Sequence, residues 1–144
     1  MPKVTRSIEI KAPPSGVWRW LATQEALRQW ISPNIEIDLK VGGAYRFLGP
    51  DEETWVSGAV LELTRERALI LSWMEEGQGW THPARLVITL APTPAGTQVT
   101  LIHDGFEAIG KPDLSKTVEG YERGADQHRI LEKLADLVTP GVGA

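Results

Sequence analysis

A chain of 144 residues, 42% hydrophobic and 24% charged, is long enough for one ordinary core and too evenly balanced for a disordered or membrane-embedded class. It contains no cysteine, which excludes disulfides, thiolate nucleophiles, iron–sulfur clusters and finger-type zinc sites. Its net charge of −4 supplies no field that would draw in a polyanion, so nucleic acid is not an expected partner.

The chain reads as a single domain over residues 1–144 with a flexible tail at 139–144. It opens with no basic leader and apolar core, and no later run approaches the roughly 20 apolar residues of a membrane helix. No membrane span and a cytoplasmic address are therefore expected.

Residues 3–11 place Val4, Ile8 and Ile10 on one side at period two and predict a half-buried strand. Ala12-Pro13-Pro14-Ser15 ends it and suits a helix start, where proline's missing donor is not needed. Val17, Trp18 and Leu21, then Leu27, Trp30 and Ile31, recur at helical spacing with a break at Thr23-Gln24-Glu25, predicting two short helices. Residues 35–41 alternate as an amphipathic strand that Gly42-Gly43 turns. Further β-rich segments follow at 44–48, 54–64, 68–74, 84–90 and 98–101, separated by polar, glycine- or proline-containing corners. That makes about seven strands. After Gly110-Lys111-Pro112, Asp113 or Ser115 can cap the longest element, a helix over 116–138 whose apolar stripe includes Val118, Tyr121, Ala125, Leu131 and Leu134.

Six consecutive short strands with hairpin-length connections favour antiparallel neighbours, because parallel pairing needs long crossovers. The expected class is α+β: a curved seven-stranded antiparallel sheet gripping a long C-terminal helix, with space left between them for an internal cavity.

Trp30 with Pro33; Asp38, Lys40, Gly42-Gly43 and Tyr45-Arg46-Phe47; Gly58, Val60 and Glu62; Leu71-Ser72-Trp73; and Gly96-Thr97, Val99, Leu101, His103 and Gly105-Phe106 lie in this order along nearly the whole chain. The set resembles the START-like (SRPBCC) superfamily of helix-grip proteins, which includes polyketide cyclases. Within it the chain is most similar to the activator of heat-shock-protein-90 ATPase homologue-like family. That resemblance implies the helix-grip fold, and among its functions are apolar-ligand binding, cyclase chemistry and association with a heat-shock ATPase. The terminal helix departs from the family's frequent Gly-Trp pair, carrying Gly124-Ala125, and the smaller Ala125 should enlarge or reshape the pocket.

Six tryptophans are the most informative feature of the composition, since aromatic walls offer rigid contact area and each indole one donor. Trp30, Trp73 and Trp80 are the candidates to reach a cavity. Tyr45 and Phe47, two apart on one strand, share a face and Arg46 takes the other, so one group or the other faces the helix. His103 shares a strand face with Val99 and Leu101, and His128 falls in the apolar sector of the terminal helix, so the two histidines could bracket a carbonyl ligand from opposing walls. Tyr121 and Ala125 complete the candidate ligand-binding set. Glu62 and Glu75 are candidate acid/base carboxyls.

No local spacing of His82, His103 and His128 suits a metal, no Gly-x-Ser-x-Gly elbow presents a nucleophile, and no glycine-rich loop opens a helix for phosphate. No metal, cofactor or catalytic residue is therefore assigned. The sequence reads as a monomeric or homodimeric, non-catalytic domain that holds a small or medium apolar molecule such as a lipid, aromatic or polyketide-like compound. A co-regulator of a heat-shock ATPase and a cyclase- or dehydratase-type enzyme are the alternatives.

Overall fold

The computed structural model describes residues 3–140. In chain order the elements are β1 (Val4–Ile10), α1 (Pro14–Trp18), α2 (Gln24–Leu27), β2 (Glu36–Ile37), β3 (Ala44–Leu48), β4 (Trp55–Thr64), β5 (Ala68–Glu75), β6 (Ala84–Pro92) and β7 (Thr97–Asp104). A 3-10 turn, Phe106–Ala108, then leads to α3 (Leu114–His128) and α4 (Ile130–Val138). The predicted tail begins beyond α4. There the Thr139 amide and hydroxyl both donate to the Ala135 carbonyl, while the remainder, 141–144, lies outside the described residues.

All seven strands form one curved antiparallel sheet in the order β1-β7-β6-β5-β4-β3-β2. Only β1 leaves the meander, pairing with β7 so that Val4 faces His103 and Ile8 faces Val99. The predicted helix-grip, α+β architecture is the observed one. A register shift between Val60 and Glu62 adds a residue, Leu61, to β4 and bends that strand, as bulges do.

Side-chain alternation assigns the two faces. Ile10, Val99, Leu101, Leu86, Ile88, Leu71, Val60 and Phe47 point inward and are buried. Ser72, Arg85 and Asp104 stand side by side on the outer face. α1 begins with proline at its first position, and α2 is capped by Thr23 Oγ1, which accepts from the Ala26 amide at 3.1 Å.

Two elements differ from the sequence expectation. The strand predicted over 35–41 pairs only at Glu36 and Ile37. Beyond it the chain coils back through bonds from Lys40 N to Asp38 O and from Gly43 N to Lys40 O, both 2.8 Å, and is clasped to Val60. Gly42 takes φ 84° there, and a Cβ on Gly43 would run into the Asp38 carbonyl, so both glycines are required by this turn.

The terminal helical segment begins at Leu114 and is interrupted at Arg129, which adopts φ 50°, ψ 51°. The interruption has a sequence cause. At roughly 100° per residue, Leu131 and Leu134 fall well off the line through Val118, Tyr121 and Ala125, and continuing that line would place Arg129 and Glu132 inward. The left-handed residue re-aims the chain. Leu131 and Leu134 of α4 are consequently buried in the main core, whereas α3 contains no buried residue. Among the described residues, no helix is long and apolar enough to cross a membrane.

Candidate functional site: an aromatic chamber beneath α3

The interior divides into a large core under α1, α2 and α4 and a smaller cluster under α3. Val4, Ala84, Phe106 and Ile109 form the floor of the smaller cluster, and Trp80, Leu114, Val118, Tyr121 and Ala125 close over it half-buried. Gly105, at φ 77°, turns the chain off β7 so that Phe106 is driven inward to full burial.

Around this floor the aromatic side chains form a continuous array. Tyr45 stacks on Phe47 at 6.3 Å, and Phe47 meets the edge of Trp73 at 5.3 Å. The Tyr121 ring is wedged among four others: His103 at 4.4 Å, Phe106 at 5.2 Å, Trp73 at 6.2 Å and Trp80 at 6.5 Å. Its hydroxyl accepts from Trp73 Nε1 at 2.9 Å and donates to Glu75 Oε2. Trp73 and Glu75 lie two apart on β5 and therefore share a face, which allows both to reach one hydroxyl from α3.

Burial dominates the electrostatics. The His103 imidazole is 5% exposed and its Nε2 has no hydrogen-bond partner among the described residues. Desolvation pushes its pKa down to about 3, against a smaller opposing effect of Asp104, so the ring is neutral. Burial first, and then the neighbouring Glu75 carboxylate, push the Tyr121 phenol upward and keep it a donor. Burial likewise raises Tyr45, whose hydroxyl donates to the Ser72 carbonyl at 2.5 Å. Tyr45 reaches across β4 at Gly58, its cross-strand partner, where a side chain would collide with Ser72.

The sequence-derived residues separate into three groups. Trp73, Trp80, His103, Tyr121 and Ala125 come together in the chamber or on its cover. Tyr45 and Phe47 face inward, extending the array into the large core, while Arg46 points out, bonds Glu76 through Nε and Nη2 at 2.9 and 3.0 Å and covers Trp55. Trp30 belongs to the large core, its indole donating to the Trp20 carbonyl at 2.9 Å. His128 is exposed at the last turn of α3, so the expected bracket of two opposing histidines does not form. Its apparent place in the apolar stripe assumed an unbroken helix. Phe106 was not in the predicted ligand-binding set, and neither was the pairing of Tyr121 with Glu75, a carboxyl expected only as an acid/base candidate. The Gly105-Phe106 step was the visible signal for the first, whereas the second depends on the packing of α3 on β5.

The expected open cavity is filled by these rings. Two concavities among the described residues lie elsewhere: one of about 590 Å³ on the outer face beside Lys3, Leu61, Arg85 and Asp104, and one of about 370 Å³ at the proline turns of residues 11–14 and 92–96. Arg85 spans the first with a two-pronged bond to Asp104, 2.9 Å on each prong, which holds that carboxyl below its usual range. No group of three or more His, Asp or Glu among the described residues is arranged to hold a metal.

No curated protein matches the chain. Protein MLL2253 from Mesorhizobium loti is similar in structure with a TM-score of 0.78 and 23% identity, covering 96% of this chain and 98% of that one. The Aha1 dimer from Colwellia psychrerythraea aligns with a TM-score of 0.76 at 17% identity over 98% of each chain. DynU16, a protein of the dynemicin biosynthetic locus, aligns at 0.77 and 18% over 98% of this chain and 48% of its own. These likenesses concern the fold. With residues 11–138 matching the family described as Activator of Hsp90 ATPase homolog 1-like protein, the chain belongs to that family.

Proposed function

We propose that the protein binds a small or medium apolar molecule between the sheet and α3. The observation that carries this reading is His103, a neutral imidazole with an unpartnered nitrogen, buried in an aromatic chamber whose cover contributes no buried residue. A polar atom buried without a partner costs roughly 1–3 kcal/mol, and a guest that pairs with it recovers part of that cost. The rings supply large contact area at low entropic cost, as in small-molecule sites generally. Trp73 and Trp80 in the chamber make binding observable by fluorescence.

Titration with N-phenyl-1-naphthylamine, a neutral apolar fluorophore, tests this reading together with native mass spectrometry. Saturable one-to-one binding that quenches tryptophan emission, and that weakens in His103→Phe, is expected; absence of saturable binding removes the reading. The likeness to the Colwellia Aha1 dimer supports adding a homodimer to it, and light scattering on the eluted protein decides between one copy and two.

A further inference from the structure

We infer that the guest of this chamber is a neutral, phenol-type ring, and that Tyr121 is its built-in stand-in, filling the site until α3 moves aside. The inference rests on the reading above and specifies the ligand class. Every recognition feature a phenol has is met around Tyr121. Four aromatic neighbours at 4.4–6.5 Å embrace the ring. One donor, Trp73 Nε1, and one acceptor, Glu75 Oε2, converge on its hydroxyl.

The pairing is chemically selective. A hydroxyl both accepts and donates at a single oxygen, so it satisfies Trp73 and Glu75 together. A carboxylate has no proton for Glu75 and is repelled by it; an ammonium has no lone pair for Trp73; a hydrocarbon leaves both unpaired. The unpartnered His103 Nε2 stands beside the same ring, and a hydroxyl on a larger guest pairs with either imidazole tautomer.

The element that delivers Tyr121 is also the one most easily released. α3 has no buried residue, while α4 is anchored by Leu131 and Leu134. Arg129, in the left-handed region, separates the two, so α3 can swing without extracting α4 from the core. Besides the Tyr121 bonds, the polar tie of α3 to the sheet is the exposed Arg6–Asp126 ion pair at 2.8 Å, which is worth little in water, and its apolar ties are the half-buried Leu114, Val118 and Ala125.

4-Methylphenol, the side chain of tyrosine as a free molecule, is the probe, with toluene and 4-methylbenzoate as controls. The intact protein is titrated with each while amide hydrogen exchange is followed over residues 114–128 and 130–138. Expected are saturable binding of 4-methylphenol, at least about tenfold preference over toluene, no binding of 4-methylbenzoate, and faster exchange in 114–128 with 130–138 unchanged. Tyr121→Ala should bind 4-methylphenol at least about tenfold more tightly than the wild type, because no internal ring has to be displaced. Equal affinity for toluene, or binding that leaves exchange in 114–128 unaltered, overturns the inference. If N-phenyl-1-naphthylamine binds and 4-methylphenol fails to displace it, the broader reading stands and this one falls; if neither binds, both fall. The wild-type measurements decide the question even if Tyr121→Ala does not fold.

Discussion

Tyr121, carried by α3, places its ring 4.4 Å from the imidazole of His103 on β7, at an angle of 65°. Through this contact α3 meets β7 inside the chamber. It joins a side chain whose hydroxyl has both a donor and an acceptor to one whose Nε2 has neither. The chamber is therefore polar-satisfied on one side and polar-unsatisfied on the other.

Removing only the hydroxyl isolates its contribution. Tyr121→Phe keeps the ring packing but leaves Trp73 Nε1 and Glu75 unpaired in a half-buried setting. A loss of about 1–3 kcal/mol in unfolding free energy is expected from urea denaturation. An unchanged midpoint would show that water replaces both bonds freely.

The depressed pKa of His103 predicts an acid-labile fold. The unfolded chain takes up a proton below about pH 6.5 while the folded chain stays neutral until about pH 3, so the unfolded state binds more protons in that window. Stability attributable to His103 is complete above pH 6.5 and is lost as pH falls, by at most ~1.4 kcal/mol per unit. The difference in unfolding free energy between wild type and His103→Phe, measured from pH 7 to 4, should shrink or reverse toward acid. A difference constant across that range would contradict the assignment of a neutral, buried imidazole.

Gly58 allows Tyr45 to cross β4 and bond Ser72. A Cβ there would strike the Ser72 carbonyl and lie 2.6 Å from Ser72 Oγ, which itself accepts from the Ala59 amide. Gly58→Ala should cost about 2 kcal/mol or more, seen as a lower thermal midpoint with altered near-ultraviolet dichroism from Tyr45. Wild-type stability in this variant would mean that β4 and β5 can separate without penalty.

Arg129 holds a left-handed conformation that disfavours a side chain by roughly 1–2 kcal/mol. Arg129→Gly removes that strain and should leave stability unchanged or raise it by up to about 1 kcal/mol. An unfolding free energy lowered by a comparable amount would indicate that Arg129 contributes through its side chain.

The element order, the meander and the inward face of most strands are set by local information in this chain. Period-two alternation in residues 3–11 and 84–90 follows directly from the pleat, and the Thr23 cap and Pro14 mark helix starts by their own chemistry. Only the tertiary structure decided the rest, because those features depend on groups distant in sequence. The length of β2 is cut by a turn clasped to Val60, some 20 residues away, and the helix breaks at Arg129 because two apolar stripes must each meet a different part of the sheet. Which tryptophans reach the chamber, and that Tyr121 occupies it between Trp73 and Glu75, follows from packing α3 against β5, a relation between residues about 46 positions apart that no local pattern encodes.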